Sequence, residues 1–93
     1  MSDKDTFYIN LKNQLDATSI FPSDYMYKFI VPTDKNQVEE VQGLFNQSGA
    51  VIKTKKSKTG KYISVSIVLK IQSSNEVILY YRKAEKIKGI ISL

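Results

Sequence analysis

The sequence contains no cysteine and no histidine. Without cysteine there are no disulfides, thiolate metal sites or thiol nucleophiles. Without histidine, the usual general base near neutral pH and the commonest metal ligand are missing. An enzymatic reading keeps only lysine, tyrosine and scattered carboxylates, each of which needs a strongly displaced pKa to do such work. The expectation is a non-enzymatic protein with no metal and no cofactor. No apolar run approaches the roughly 20 residues of a membrane helix, and Met1 to Lys12 lacks a basic segment followed by an apolar core. Neither a membrane partner nor a secretory leader is expected, and a cytoplasmic location is the default.

What is present suits one folded core. The 93 residues are 42% hydrophobic and 25% charged, ordinary values for a globular chain. Residues 1–20 read as an N-terminal extension and residues 21–93 as a single domain. The net charge is +5, and Lys53, Lys55, Lys56, Lys58 and Lys61 equal that excess with no acidic residue among them. The rest of the chain is balanced.

Periodicity places the elements. Phe7, Leu11 and Leu15 recur at every fourth position after Asp5 or Thr6 as a cap, which predicts a helix over 6–16, although Phe7, Ile9 and Leu11 also alternate as in a strand. Tyr25–Val31, bracketed by Pro22 and Pro32, predicts a strand with Tyr25, Tyr27, Phe29 and Val31 inward and Met26, Lys28 and Ile30 on the other face. Asp34 with Gln37 resembles a capping box for a helix over 35–47 carrying Val38, Val41, Leu44 and Phe45 on one stripe. Gly43 within it points to close packing or simple tolerance. A strand over 50–56, a turn at Ser57–Gly60 and a return strand over 61–71 follow, with Ile63, Val65, Ile67, Leu69 and Ile71 on the buried face. Ser73 with Glu76 opens a last helix to Lys86, with Val77, Tyr80, Tyr81 and Ala84 inward and Ile78 and Leu79 off the stripe. Ile87–Leu93 closes the chain, with Gly89 marking a turn or bulge before a last short strand.

This order makes an α+β, ferredoxin-like β-α-β-β-α-β sandwich. Right-handed crossovers put two helices on one face of a four-stranded antiparallel sheet of order 4-1-3-2, with the N-terminal segment as a short helix or extension. Phe21-Pro22-Ser23-Asp24-Tyr25-Met26-Tyr27-Lys28 and Gly60-Lys61-Tyr62-Ile63-Ser64-Val65-Ser66-Ile67 resemble the YbeD-like family of small bacterial proteins of unknown function. Val77, Tyr80, Tyr81, Ala84 and Ile87 match that family's apolar spacing. The resemblance implies a ferredoxin-like fold similar to ACT-type regulatory domains, which bind small molecules at domain interfaces, and it implies no established activity. The dense lysines of the hairpin depart from the family pattern.

Two groups of residues are candidates for binding. Lys28, Tyr62, Ser64 and Ser66 converge on the open face, where one ammonium and several hydroxyls suit a carboxylate or phosphate. The lysine run, Lys53, Lys55, Lys56, Lys58 and Lys61, offers an anion-binding edge. Each has a plainer explanation, since half-exposed sheets carry solvated polar residues and lysines on an edge strand deter pairing between molecules. The open face lacks the aromatic pair on which RNA-recognition modules stack bases. Thr59-Gly60-Lys61 has neither the glycine spacing nor the following helix of a phosphate-binding loop. The expected partner is a protein or a small anionic ligand, with nonspecific nucleic-acid binding through the hairpin as the alternative. The expected state is a monomer or weak homodimer; Ile78 and Leu79, off the stripe, could serve a dimer or partner surface, but isolated exposed aliphatics are normal and that plainer reading leads.

Overall fold

The computed structural model describes residues 3–46 and 49–93. In chain order these form α1 (Asp3–Thr18), β1 (Ser23–Pro32), α2 (Gln37–Phe45), β2 (Val51–Lys56), β3 (Tyr62–Ile71), α3 (Ser74–Ala84) and β4 (Ile91–Ser92). The strands lie in the order β2-β3-β1-β4, the expected 4-1-3-2 sheet, with every pairing antiparallel. The longest alternating segments, β1 and β3, therefore sit in the centre. There each buries one face, and the lysine-rich β2 is left as an edge.

The alternation sets the core. Tyr27, Phe29, Val31, Val65, Ile67 and Ile71 are fully buried on the helix side with Val41 and Val77. Aromatic rings fill the layer between sheet and helices: Tyr27 meets Phe45 at 5.3 Å and Tyr81 at 4.9 Å between ring centres, and Phe45 stacks on Tyr80 at 4.6 Å. The hydroxyls stay satisfied, as buried polar groups must. Tyr27 donates to the carbonyl of Val77 at 3.0 Å, and the Tyr25 and Tyr81 hydroxyls share a 2.9 Å hydrogen bond.

The segment before the sheet is a helix, not a strand, and its inward stripe differs from the expected one. Tyr8 is buried, with Leu11 and Leu15 packed against the core, whereas Phe7 is 61% exposed. The cause lies in α3, which supplies partners for Tyr8 and not for Phe7. The Tyr8 hydroxyl donates to Glu85 Oε2 at 2.8 Å, its ring stacks on Tyr81, and the Arg82 guanidinium lies 4.7 Å from the ring centre. Asp5 pairs with Arg82 at 3.0 Å, and Ser74 Oγ donates to Asp16. Asp5 and Thr6, expected to cap the helix, lie inside it.

That docking corrects a second expectation. Ile78, read as exposed, is 9% exposed, while Leu79 remains 49% exposed. A helix with the sheet on one side and another helix on its flank buries more than one stripe.

The caps divide. Ser73 accepts the Glu76 N–H at its side chain as expected. Asp34 does not cap α2: the helix begins at Gln37 after Asn36, with no side-chain cap bond. Gln37 is buried and folds back instead, accepting from Lys35 N–H and donating to Asp34 Oδ1 and to the Lys88 carbonyl. The expected end of this helix at Gln47 lies outside the described residues. Nothing lies within 4 Å of a Cβ placed on Gly43, so tolerance and not close packing explains that glycine.

At the C-terminus, α3 stops at Ala84, before the expected Lys86, and the short strand expected after Gly89 is β4 at Ile91–Ser92. Ile87 is a core residue, in keeping with its place in the apolar spacing, and Gly89, at φ +78°, makes the expected turn and aims Ile91 at β1.

Candidate functional site

The face of the sheet away from α2 and α3 carries the candidate residues, and strand register decides which of them meet. Lys28 on β1 faces Ser66 on β3, which faces Lys53 on β2. One row toward the hairpin, Ile91, Ile30, Ser64 and Lys55 run across all four strands. One row the other way, Met26, Val68 and Val51 make an apolar strip. Strands in a sheet are about 4.8 Å apart, so the Lys28 and Lys53 backbones are separated by roughly 10 Å, close enough for both ammonium groups to approach one partner.

Of the residues proposed from sequence, Lys28, Ser66, Lys53, Ser64 and Lys55 thus form one contiguous patch. Tyr62 joins it at the hairpin end, where a shallow depression of about 320 Å³ is bordered by Ile30, Lys55, Lys58, Tyr62 and Ser64 among others. Lys56 borders the same depression at the hairpin end, although its strand position differs. It faces Ile63, whose neighbours along β3 are buried on the helix side, so its position belongs to the opposite face. Lys61 precedes β3 and is exposed, its N–H donating to Thr59 Oγ1 and its carbonyl accepting from Thr33 N–H.

The hairpin holds these positions through its own hydrogen bonds. Ser57 N–H donates to the Tyr62 carbonyl at 2.8 Å, Tyr62 N–H donates to Ser57 Oγ at 3.2 Å, and Gly60 turns the chain at φ +73°. Gly60 in the Thr59-Gly60-Lys61 triplet therefore serves a β-turn and not a phosphate loop. Ser64 Oγ donates to the Lys55 carbonyl at 3.3 Å, so its oxygen remains able to accept.

Among the described residues, the ion pairs use Lys4, Lys12 and Arg82, and none engages a lysine of the hairpin or Lys28. The patch therefore projects positive charge that no ion pair among the described residues neutralises. The strip beside it is apolar and open: Met26 is 61% and Val51 58% exposed, with Val68 less so, and with Lys53 and Ser66 they border a depression of about 460 Å³. Sequence reasoning put Met26 on this face but did not see the strip, because Val51 joins it only through the β2–β3 register.

The groups whose protonation is displaced lie on the other side of the sheet. Burial, then the hydrogen bond to Glu85 and its charge, push the Tyr8 hydroxyl up to about 12. Burial and neighbouring tyrosines raise Tyr27 and Tyr81 further. Hydrogen bonds from Ser74 and Lys12 hold Asp16 below the usual carboxylate range. These are fastenings of the helix layer, where Tyr8 borders a depression of about 320 Å³ with Lys12, Ile78, Leu79 and Arg82 among others. Among the described residues no group of three acidic side chains is placed to hold a metal ion, and no helix is long and apolar enough to cross a membrane.

A family model described as a protein of unknown function (DUF493) matches residues 16–93. No curated protein matches. Among solved structures, protein HP0495 from H. pylori superposes with a TM-score of 0.64 at 20% identity, over 82% of this chain and 86% of that one. The ACT domain from the GTP pyrophosphokinase of Chlorobium tepidum superposes with a TM-score of 0.55 at 9% identity, over 76% of this chain and 100% of that one. At these identities the likeness concerns the fold, which is ferredoxin-like and ACT-like.

Proposed function

The chain belongs to the DUF493 family of proteins of unknown function, the YbeD-like group its Tyr62–Ser66 element resembles, and from its surface chemistry we propose that it is a non-enzymatic binding or regulatory module. It engages an anionic partner, a protein or a small ligand, through the open sheet face and the basic hairpin. The observation that carries this reading is the row Lys28–Ser66–Lys53 with Lys55 and Ser64 beside it, lysines that no carboxylate of the chain engages among the described residues. The ACT likeness supports a module and not a complete catalyst, since that neighbour is one domain of a GTP pyrophosphokinase. The same proposal puts the chain in a bacterial cytoplasm, as a monomer or weak homodimer whose edge lysines oppose pairing through β2.

The test compares partners captured by the purified wild-type chain with those captured by Lys28→Ala and by a Lys53→Glu, Lys55→Glu variant, the captured species then being rebound in pure form. Partners of the wild type should be lost from both variants. Capture that survives both substitutions would show that the surface has been wrongly assigned.

A second reading, nonspecific nucleic-acid binding, is favoured by the hairpin lysines alone. It requires affinity for single-stranded RNA or DNA that falls steeply with salt. Tyr62 is the one aromatic residue on the open face of β1 and β3, so base stacking adds little to such binding.

A further inference from the structure

We infer that the open face binds an acidic, amphipathic helical segment of a partner protein, its apolar side chains resting on Met26, Val68 and Val51 and its carboxylates meeting Lys28, Lys53 and Lys55. This rests on the reading of the open face as the binding surface and adds the chemistry of the occupant. Charge complementarity argues for acidity. The three lysines lie on adjacent rows of one face, and the nearest acidic position on that face, Asp24, is opposite Lys70 on the far side of the apolar strip. A small anion would use the lysines but leave the strip uncovered. The strip consists of three side chains gathered from three strands, and covering it removes apolar surface from water at about 25 cal/mol per Å².

The geometry selects a helix over an extended segment. Both central strands already pair on each side, so an incoming chain lying across the face finds no backbone hydrogen-bond partners and must satisfy its own internally. The rows of Val68 and Ser64, which border the two depressions, are four residues apart along β3, about 13 Å. A helix of roughly twelve residues, about 18 Å long, spans both.

Other occupants fit less well. A second copy of the chain stacked on this face would bring lysine against lysine. A membrane would be met first by the hairpin, whose turn Ser57–Gly60 carries no apolar side chain to insert. Nucleic acid would exploit the charge but not the aliphatic strip.

The experiment selects peptides of about twelve residues, long enough for three helical turns, from a random phage-displayed library on the purified full-length chain. Enriched peptides are then synthesised for binding and amide chemical-shift mapping. Sequences with excess Asp and Glu and apolar residues at helical spacing are expected, with shifts centred on Met26, Lys28, Lys53, Ser66 and Val68. Affinity should fall about tenfold in a Lys53→Glu, Lys55→Glu variant, as for truncated charge complementarity. It should fall about fivefold in Met26→Ser, Val68→Ser, with Val51→Ser as the substitute should that pair fail to fold. Shuffled peptides of the same composition should bind at least several-fold more weakly.

Three results overturn the inference: no enrichment, enrichment without acidic residues, or shuffled peptides binding equally. Tighter binding to phosphatidylglycerol vesicles or to single-stranded RNA than to the selected peptides also overturns it, in favour of those surfaces. Inorganic phosphate shifting Lys55 and Tyr62 while no peptide is selected removes this inference and leaves the broader proposal standing. Capture of cellular partners that survives the lysine variants removes the broader proposal itself.

Discussion

Single residues in the helix layer carry consequences for stability. Tyr8, Tyr27 and Tyr81 hold their protons more tightly folded than unfolded, because burial disfavours the phenolate. Between the ordinary value of 10.0 and the raised ones the folded state binds more protons than the unfolded state, so stability falls as pH rises. Urea unfolding followed across pH should give a constant contribution from these groups below 10 and a loss setting in above it, continuing through about 12. Tyr8→Phe should flatten the early part of that loss; an unchanged slope would show that Tyr8 is not held as described. Two glycines should respond in opposite directions. Gly43→Ala, in an uncrowded helix interior, should stabilise by about 0.5–1 kcal/mol. Gly89→Ala should destabilise by about 1–2 kcal/mol or more, since φ is +78° and the added Cβ would sit 2.8 Å from Pro32 Cγ. Thermal melts of the two variants distinguish them directly.

At the scale of elements, α1 is the part least legible from sequence. Its alternation fits a strand as well as a helix, and its one buried aromatic, Tyr8, is chosen by Arg82, Glu85 and Tyr81, nearly the whole chain away. The same contact decides Ile78. A period of 3.6 identifies the stripe that α3 presents to the sheet but cannot report a second helix on its flank. Ile78→Ser should therefore cost about 2–3 kcal/mol, while Leu79→Ser should stay within about 0.5 kcal/mol. Equal effects in chemical denaturation would mean that α1 does not cover Ile78 in solution. The strands were easier, because β1 and β3 each alternate over a full length and their faces follow from placing Lys28 in water. The Asp34–Gln37 pairing misled for a local reason: the two residues do meet, side chain to side chain, but Gln37 is itself the first residue of the helix, so Asp34 lies too far upstream to cap it.

For the whole molecule, the uneven charge governs how copies meet one another. The free edge of β2 is protected by Lys53 and Lys55 on one face and Lys56 on the other. Replacing Lys53 and Lys55 with threonine, a residue favoured in strands, leaves the fold intact and removes two of the charges that keep the edge single. Sedimentation velocity should then show stronger concentration-dependent association than in the wild type. An unaltered profile would leave partner binding as the better account of those lysines. This outcome is independent of the peptide selection, since an edge protected by lysine can also serve a neighbouring binding face.

The strands, the inward and outward residues of β1 and β3, the order of the sheet and the edge position of the lysine hairpin were legible in the sequence. These follow from short-range alternation, turn residues and the handedness of crossovers, all of which are written within a few residues of where they act. The docking of α1 on α3, the burial of Ile78, the position of Lys56 opposite Ile63, and the apolar strip of Met26, Val68 and Val51 beside the lysines come from the packing of distant segments. Each of these depends on register or contact between segments distant in the chain, and no local pattern encodes which residue a distant strand or helix will face.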